Sequence, residues 1–106
     1  MAKKAYKLIY RPKAQKDMRE IIFYISQELR DPAAATKLAD NIVEAVDKLI
    51  DYPYAYPPYI PLAPLKHEYR KLIVQNYVVF YWVDERRKRI LIERVLYMRR
   101  DYGALL

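Results

Sequence analysis

Tyr69-Arg70-Lys71-Leu72-Ile73-Val74, Tyr77-Val78-Val79-Phe80-Tyr81-Trp82-Val83 and Arg89-Ile90-Leu91-Ile92-Glu93-Arg94-Val95-Leu96-Tyr97 are three consecutive runs rich in β-branched and aromatic residues. Only Gln75-Asn76 and Asp84-Glu85-Arg86-Arg87-Lys88 separate them, both of them short polar stretches suited to turns. Strands joined so briefly run antiparallel, because a parallel neighbour needs a crossover of about a dozen residues or more. The spacing therefore predicts a three-stranded meander. In its middle strand Tyr77, Val79, Tyr81 and Val83 share one face while Val78, Phe80 and Trp82 share the other, so both faces want covering. A large apolar face left open after folding marks a protein interface. Val78, Phe80 and Trp82 are the candidates for one, with Trp82 beneath the C-terminal tail or a partner's segment.

Upstream, residues 5–10 alternate, with Tyr6, Leu8 and Tyr10 on one side, and read as a short first strand. Pro12 suits the first turn of a helix. Ala14, Met18, Ile21, Ile22, Ile25 and Leu29 then recur at helical spacing with Lys13, Lys16, Arg19, Glu20 and Glu28 outside them, giving an amphipathic helix that ends near Arg30. Asp31-Pro32 is a start signal, an N-cap followed by proline at the first helical position. Ala35, Leu38, Ile42, Ala45, Val46 and Leu49 form the next stripe. Two helices joined by a short turn make an antiparallel hairpin whose remaining apolar edge needs a sheet to cover it. The predicted fold is α+β, in the order β-α-α-β-β-β, an antiparallel sheet with the helical hairpin on one face.

Between helices and meander, Tyr52, Tyr54, Tyr56 and Tyr59 alternate with Pro53, Pro57, Pro58, Pro61 and Pro64. Neither a helix nor an inner strand accommodates that density of proline. Two readings are open for this extended loop: tyrosines packed over the end of the hairpin, or a platform on which nucleic-acid bases stack.

The 106 residues, 54% of them hydrophobic, suffice for one core and one domain spanning 1–106. No cysteine is present, and His67 is the single histidine, so thiolate or histidine-cluster metal sites and a Ser/His/Asp triad are poor expectations. No cofactor or metal is expected. No apolar run approaches the roughly 20 residues of a membrane span, and the expected location is the cytoplasm, with no membrane partner. Twenty Lys+Arg against 13 Asp+Glu give a net charge of +7, which favours nucleic acid, ribosome or an acidic protein as partner.

Residues 68–84, from Glu68-Tyr69-Arg70-Lys71 to Tyr81-Trp82-Val83-Asp84, and the ending Arg94-Val95-Leu96-Tyr97-Met98-Arg99-Arg100-Asp101-Tyr102 resemble the RelE/ParE superfamily of toxins from bacterial type II toxin–antitoxin pairs. The opening Tyr6-Lys7-Leu8-Ile9-Tyr10 and residues 14–25 extend the resemblance over nearly the whole chain. It implies a β-α-α-β-β-β toxin neutralised by a cognate antitoxin whose C-terminal segment wraps it. Superfamily members divide between RelE-like nucleases, which cut messenger RNA in translating ribosomes, and ParE-like proteins, which poison DNA gyrase; fold similarity does not choose between them.

Residues bear on that choice. A metal-free nuclease needs cations for the phosphate and groups that move protons, and the RelE-like pattern supplies two alternating lysines on the first meander strand, an arginine early on the second and another after the third. Here Arg70 and Arg99 match two positions, whereas Leu72 and Val78 stand at the others; Tyr102 follows Arg99 more closely than the nuclease's tyrosine does. The resemblance therefore favours a ParE-like gyrase poison over an mRNA interferase. For either target Arg70, Arg94, Arg99, Arg100 and Tyr102 form the candidate contact patch, and Arg70, Arg99 and Tyr102 would be the catalytic residues of a nuclease. The ordinary alternative for the arginines is pairing with Glu68, Glu93 or Asp101. A third reading is an inactive module that only binds its antitoxin.

Overall fold

The computed structural model describes residues 6–61, 63–98 and 105–106. The meander forms as strands Arg70–Val74, Tyr77–Asp84 and Arg89–Tyr97, which become β2, β3 and β4 once the first strand, β1 at Lys7–Tyr10, is counted. Helix α1 spans Pro12–Phe23 and α2 spans Pro32–Asp47. Both helices begin on a proline, and α2 is capped by Asp31, whose Oδ1 accepts from the Ala34 amide at 3.1 Å. The first helix does not run evenly to Arg30: a wider π-turn occupies Tyr24–Glu28, with the Leu29 amide bonded back to the Tyr24 carbonyl. Arg30, at a φ of 54°, then ends it.

The sheet order is β1-β4-β3-β2, and here the expectation of an all-antiparallel sheet is corrected, because β1 lies parallel to β4, Lys7 opposite Arg89 through Tyr10 opposite Ile92. Tight turns dictate antiparallel pairing only inside the meander. The loop after α2 returns the chain so that β2 starts in the same direction as β1; β4, two reversals later, runs that way too. Residue alternation carries no information about strand direction, so the sequence could not express this.

Two apolar layers sandwich the sheet. On the helix side Ala14, Leu38, Ile42, Val46 and Leu49 meet Leu72, Val79, Tyr81, Ile90, Ile92 and Val95. On the outer side Tyr69, Val78, Phe80 and Leu96 are buried beneath Tyr59, Leu65, Trp82, Leu105 and Leu106. The tyrosine–proline loop contributes to this second layer through Tyr59. Pro58 bridges to Arg70 and the Tyr59 amide donates to the Tyr69 carbonyl at 2.7 Å, while on the helix side the buried Tyr81 hydroxyl donates to the Pro53 carbonyl at 2.8 Å. Burial pushes that hydroxyl's pKa up to about 12, so it stays a donor.

Candidate functional site

β4 is continuous with β3 except between Phe80 and Tyr81, where the register jumps from Phe80–Arg94 to Tyr81–Ile92 and leaves Glu93 as an extra residue. This bulge re-aims two side chains. Glu93 accepts from the Trp82 indole at 3.1 Å and pairs with Arg11 at 3.3 Å. Arg94 grips Asp17 on α1 with two parallel bonds, Nε to Oδ2 at 2.7 Å and Nη2 to Oδ1 at 2.8 Å, and its Nη1 donates to the Leu105 carbonyl at 2.9 Å. The Asp17 carboxylate raises the guanidinium's already high pKa against the opposing effect of burial.

Arg70 starts β2, and its guanidinium donates to the Tyr56 carbonyl at 2.7 Å, pairs with Glu68 at 3.3 Å and lies 5.0 Å from the centre of the Tyr54 ring. Tyr54 in turn donates to Glu85 at 2.6 Å, which also accepts from Tyr6 and pairs with Lys88. Arg70 and Arg94 are thus held by different partners, the tyrosine–proline loop and α1 respectively, with side-chain exposures of only 16% and 15%. The other three members of the expected patch, Arg99, Arg100 and Tyr102, lie outside the described residues.

Of the three residues expected to meet an antitoxin, Val78 and Phe80 are covered by the chain itself, at 2% and 0% exposure. Trp82 is half-buried, and His67 stacks flat on it at 3.6 Å. The histidine is therefore a packed side chain and not a freely solvated one. Burial, and then the neighbouring Lys66, hold its pKa below the usual histidine value. A pocket of about 340 Å³ opens here between Tyr54, Lys66, Glu68, Arg70 and the uncovered end of β3. At the β3–β4 turn Asp84 is drawn below the ordinary carboxylate range, since hydrogen bonds from Arg89 and Arg87 outweigh its burial.

A larger groove, about 770 Å³, runs between the C-terminal half of α1, the π-turn and the end of β4. Ile21, Ile25, Leu38 and Val95 line it, while Tyr24, Leu29 and Tyr97 stand exposed along it. Sequence reading anticipated neither the groove nor Asp17. A signal existed for the latter: Ala14, Asp17 and Ile21 fall at i, i+3 and i+7, which puts an acid in an apolar stripe. Among the described residues no cluster of His, Cys, Asp and Glu is placed to hold a metal ion, and no helix is long and apolar enough to cross a membrane.

Compared with known proteins, residues 8–102 match the family model described as the ParE toxin of the type II toxin–antitoxin system parDE. A search of curated proteins finds no match. Among solved structures, the chain is similar to one from a chromosomal ParDE toxin–antitoxin system of P. aeruginosa. It shares 22% identity and a TM-score of 0.73, over 92% of this chain and 100% of that one. It is also similar to one from the toxin–antitoxin complex RelBE2 of Mycobacterium tuberculosis, at 18% identity and a TM-score of 0.52, over 88% and 98% of the respective chains.

Proposed function

Because the chain belongs to the ParE toxin family of type II toxin–antitoxin systems, we propose that it arrests growth by poisoning DNA gyrase in the cytoplasm. A cognate antitoxin restrains it, and the net charge of +7 favours an acidic one. The observation that carries the choice of target is the fate of the two positions where a RelE-like nuclease would hold cations. Leu72 is 2% exposed in the helix-side core, and Val78 is 2% exposed in the outer layer. Neither position offers a charge to a phosphate, and no rearrangement short of unfolding the sheet would supply one. Arg70, one of the two cations that do match, is tied to Tyr56 and Glu68. The candidates for gyrase contact are Arg99, Arg100 and Tyr102, which follow β4 in sequence, together with Arg70 and Arg94, and Trp82 is the accessible member of the outer-face trio for antitoxin contact.

The test is expression without antitoxin from a tight promoter. Messenger 5′ ends are mapped and gyrase-dependent DNA breaks assayed in the same culture within minutes of arrest. Gyrase-linked breaks with intact messenger are expected. New codon-phased 5′ ends that vanish in Arg70→Ala would overturn the reading in favour of an mRNA interferase. Unimpeded growth at full soluble expression would leave only an antitoxin-binding module.

A further inference from the structure

We propose that the pocket where β2 begins takes the carboxylate of an acidic peptide segment, which Arg70 and Lys66 bind in the place that Glu68 now fills. This deepens, and rests on, the reading that an acidic antitoxin restrains the toxin.

Arg70 is already organised for an anion. Its Nη1 is pinned to the Tyr56 carbonyl at 2.7 Å, and its guanidinium carbon stands 5.0 Å from the centre of the Tyr54 ring. Tyr54 is itself fixed, its hydroxyl donating to Glu85 at 2.6 Å. A guanidinium held along one edge and over one face has little freedom left to lose when a ligand takes another edge. That other edge, Nη2, meets Glu68 at 3.3 Å. Charge-assisted bonds ordinarily run at about 2.7–2.9 Å, and the Glu68 side chain is 70% exposed against 16% for Arg70. Glu68 is thus a loose occupant, and it shows which chemistry the edge accepts. Lys66 lines the same pocket of about 340 Å³ from an exposed position, so an entering carboxylate meets two cations.

Strand pairing indicates what carries that carboxylate. β2 and β3 pair only from Arg70 opposite Tyr81, yet β3 and β4 stay paired as far as Asp84 opposite Arg89. Among the described residues, Trp82 and Val83 therefore have a strand on the β4 side and none on the other, and both line the pocket. An open strand edge suits an extended peptide backbone and offers nothing particular to a free phosphate. Side chains of a peptide lying along that edge alternate between the two faces of the sheet. Arg70 stands on the face of Leu72, toward the helices, whereas half-buried Trp82 belongs to the outer layer with His67 stacked on it at 3.6 Å. An acidic residue turned to Arg70 then has a neighbour turned to the Trp82 ring, which favours a segment that alternates acidic with apolar residues.

The chain's one tryptophan and one histidine both line this pocket, so their signals report binding there. An acetylated, amidated hexapeptide of alternating leucine and glutamate is titrated into the purified toxin at low salt, beside its leucine–glutamine counterpart and inorganic phosphate. Trp82 fluorescence and the His67 ring protons are followed. The glutamate peptide should bind roughly tenfold tighter than the glutamine one, and Arg70→Gln should abolish the difference. Lys66→Gln should weaken glutamate-peptide binding by about threefold, and Glu68→Gln should strengthen it by about threefold because the resident competitor is gone. Both of these alter exposed side chains, so they keep the test decisive even where Arg70→Gln loosens the loop at Tyr56. A glutamate peptide that binds no tighter than its counterpart, a Glu68→Gln variant that binds no better than wild type, or phosphate that moves both signals at the peptide's own concentrations overturns the proposal. Peptide binding is scored without antitoxin or gyrase, so growth that a co-expressed antitoxin fails to restore defeats the reading of the restraint alone and leaves the pocket result standing.

Discussion

Truncating Phe80 to alanine tests whether the outer face of the sheet is a core of the free toxin or an interface kept for a partner. The ring is fully buried, meets Tyr59 edge-on at 5.4 Å and 74°, and is enclosed by Tyr69, Val78 and Leu96. Removing a phenylalanine from such a site costs about 3–5 kcal/mol, of which the aromatic edge contact accounts for about 0.5–1.5 kcal/mol. Domains of this size have only about 5–15 kcal/mol in total. At about 4–8 °C per kcal/mol the midpoint of thermal unfolding should drop by at least about 12 °C. Thermal and urea unfolding of the free toxin give the cost, with an unchanged urea slope showing that the folded and unfolded ensembles are comparable. Calorimetric titration with antitoxin, well below both midpoints, gives the affinity. A core residue places its cost in the free toxin and leaves affinity per folded molecule unchanged. A midpoint lowered by less than about 4 °C together with a tenfold or greater loss of antitoxin affinity would refute the reasoning, since Phe80 would then be contacting a partner and not its own loop.

Tyr81→Phe removes the one hydroxyl that reaches the Pro53 carbonyl from a buried position, and should cost about 1–3 kcal/mol in urea unfolding, because the carbonyl is left without its donor; a loss under about 0.3 kcal/mol would mean that the loop is not pinned there. Asp31→Ala deletes the cap of α2 and should lower stability by about 0.5–2 kcal/mol, measured by the same titration. His67 gives a pH signature. Its pKa is lowered in the folded chain by burial and by Lys66, so as pH falls the unfolded chain takes up the proton first, near about 6.5. Its contribution is complete above that value and is lost as pH descends toward the lower folded pKa. His67→Phe, which keeps a ring for Trp82, should flatten the slope of stability against pH below about 6.5, and an unaltered slope would assign it to other groups.

What the sequence could express follows from the range over which each interaction acts. The stripe of Ala35, Leu38, Ile42 and Val46 on α2, with Leu49 in the turn just beyond it, is buried as a 3.6-residue period requires. Meander pairing follows from two short turns, and the parallel seat of β1 does not, because its neighbour lies some eighty residues away and direction leaves no trace in alternation. The second layer was half legible: Val78, Phe80 and Trp82 announced a face in need of cover, but alternation cannot say whether the cover comes from the chain or from a partner. The proline-rich stretch supplied part of it through Tyr59, which meets Phe80 edge-on, while Tyr54 beside Arg70 and Tyr52 stay exposed. Arg94 shows the same limit more sharply. Counted as a charge it belonged with Arg70 in a patch; the bulge at Glu93, which no local pattern signals, turned it onto a carboxylate 77 residues earlier. Asp17 is where the two scales meet, since one acid in an apolar helical stripe needs a buried donor, and the shortness of β1 together with the bulge in β4 provides three of them in one place. A polar residue that breaks a helical stripe therefore points to where a sheet is incomplete, and in this chain it points to the edge of β4 that β1 leaves uncovered beyond Ile92.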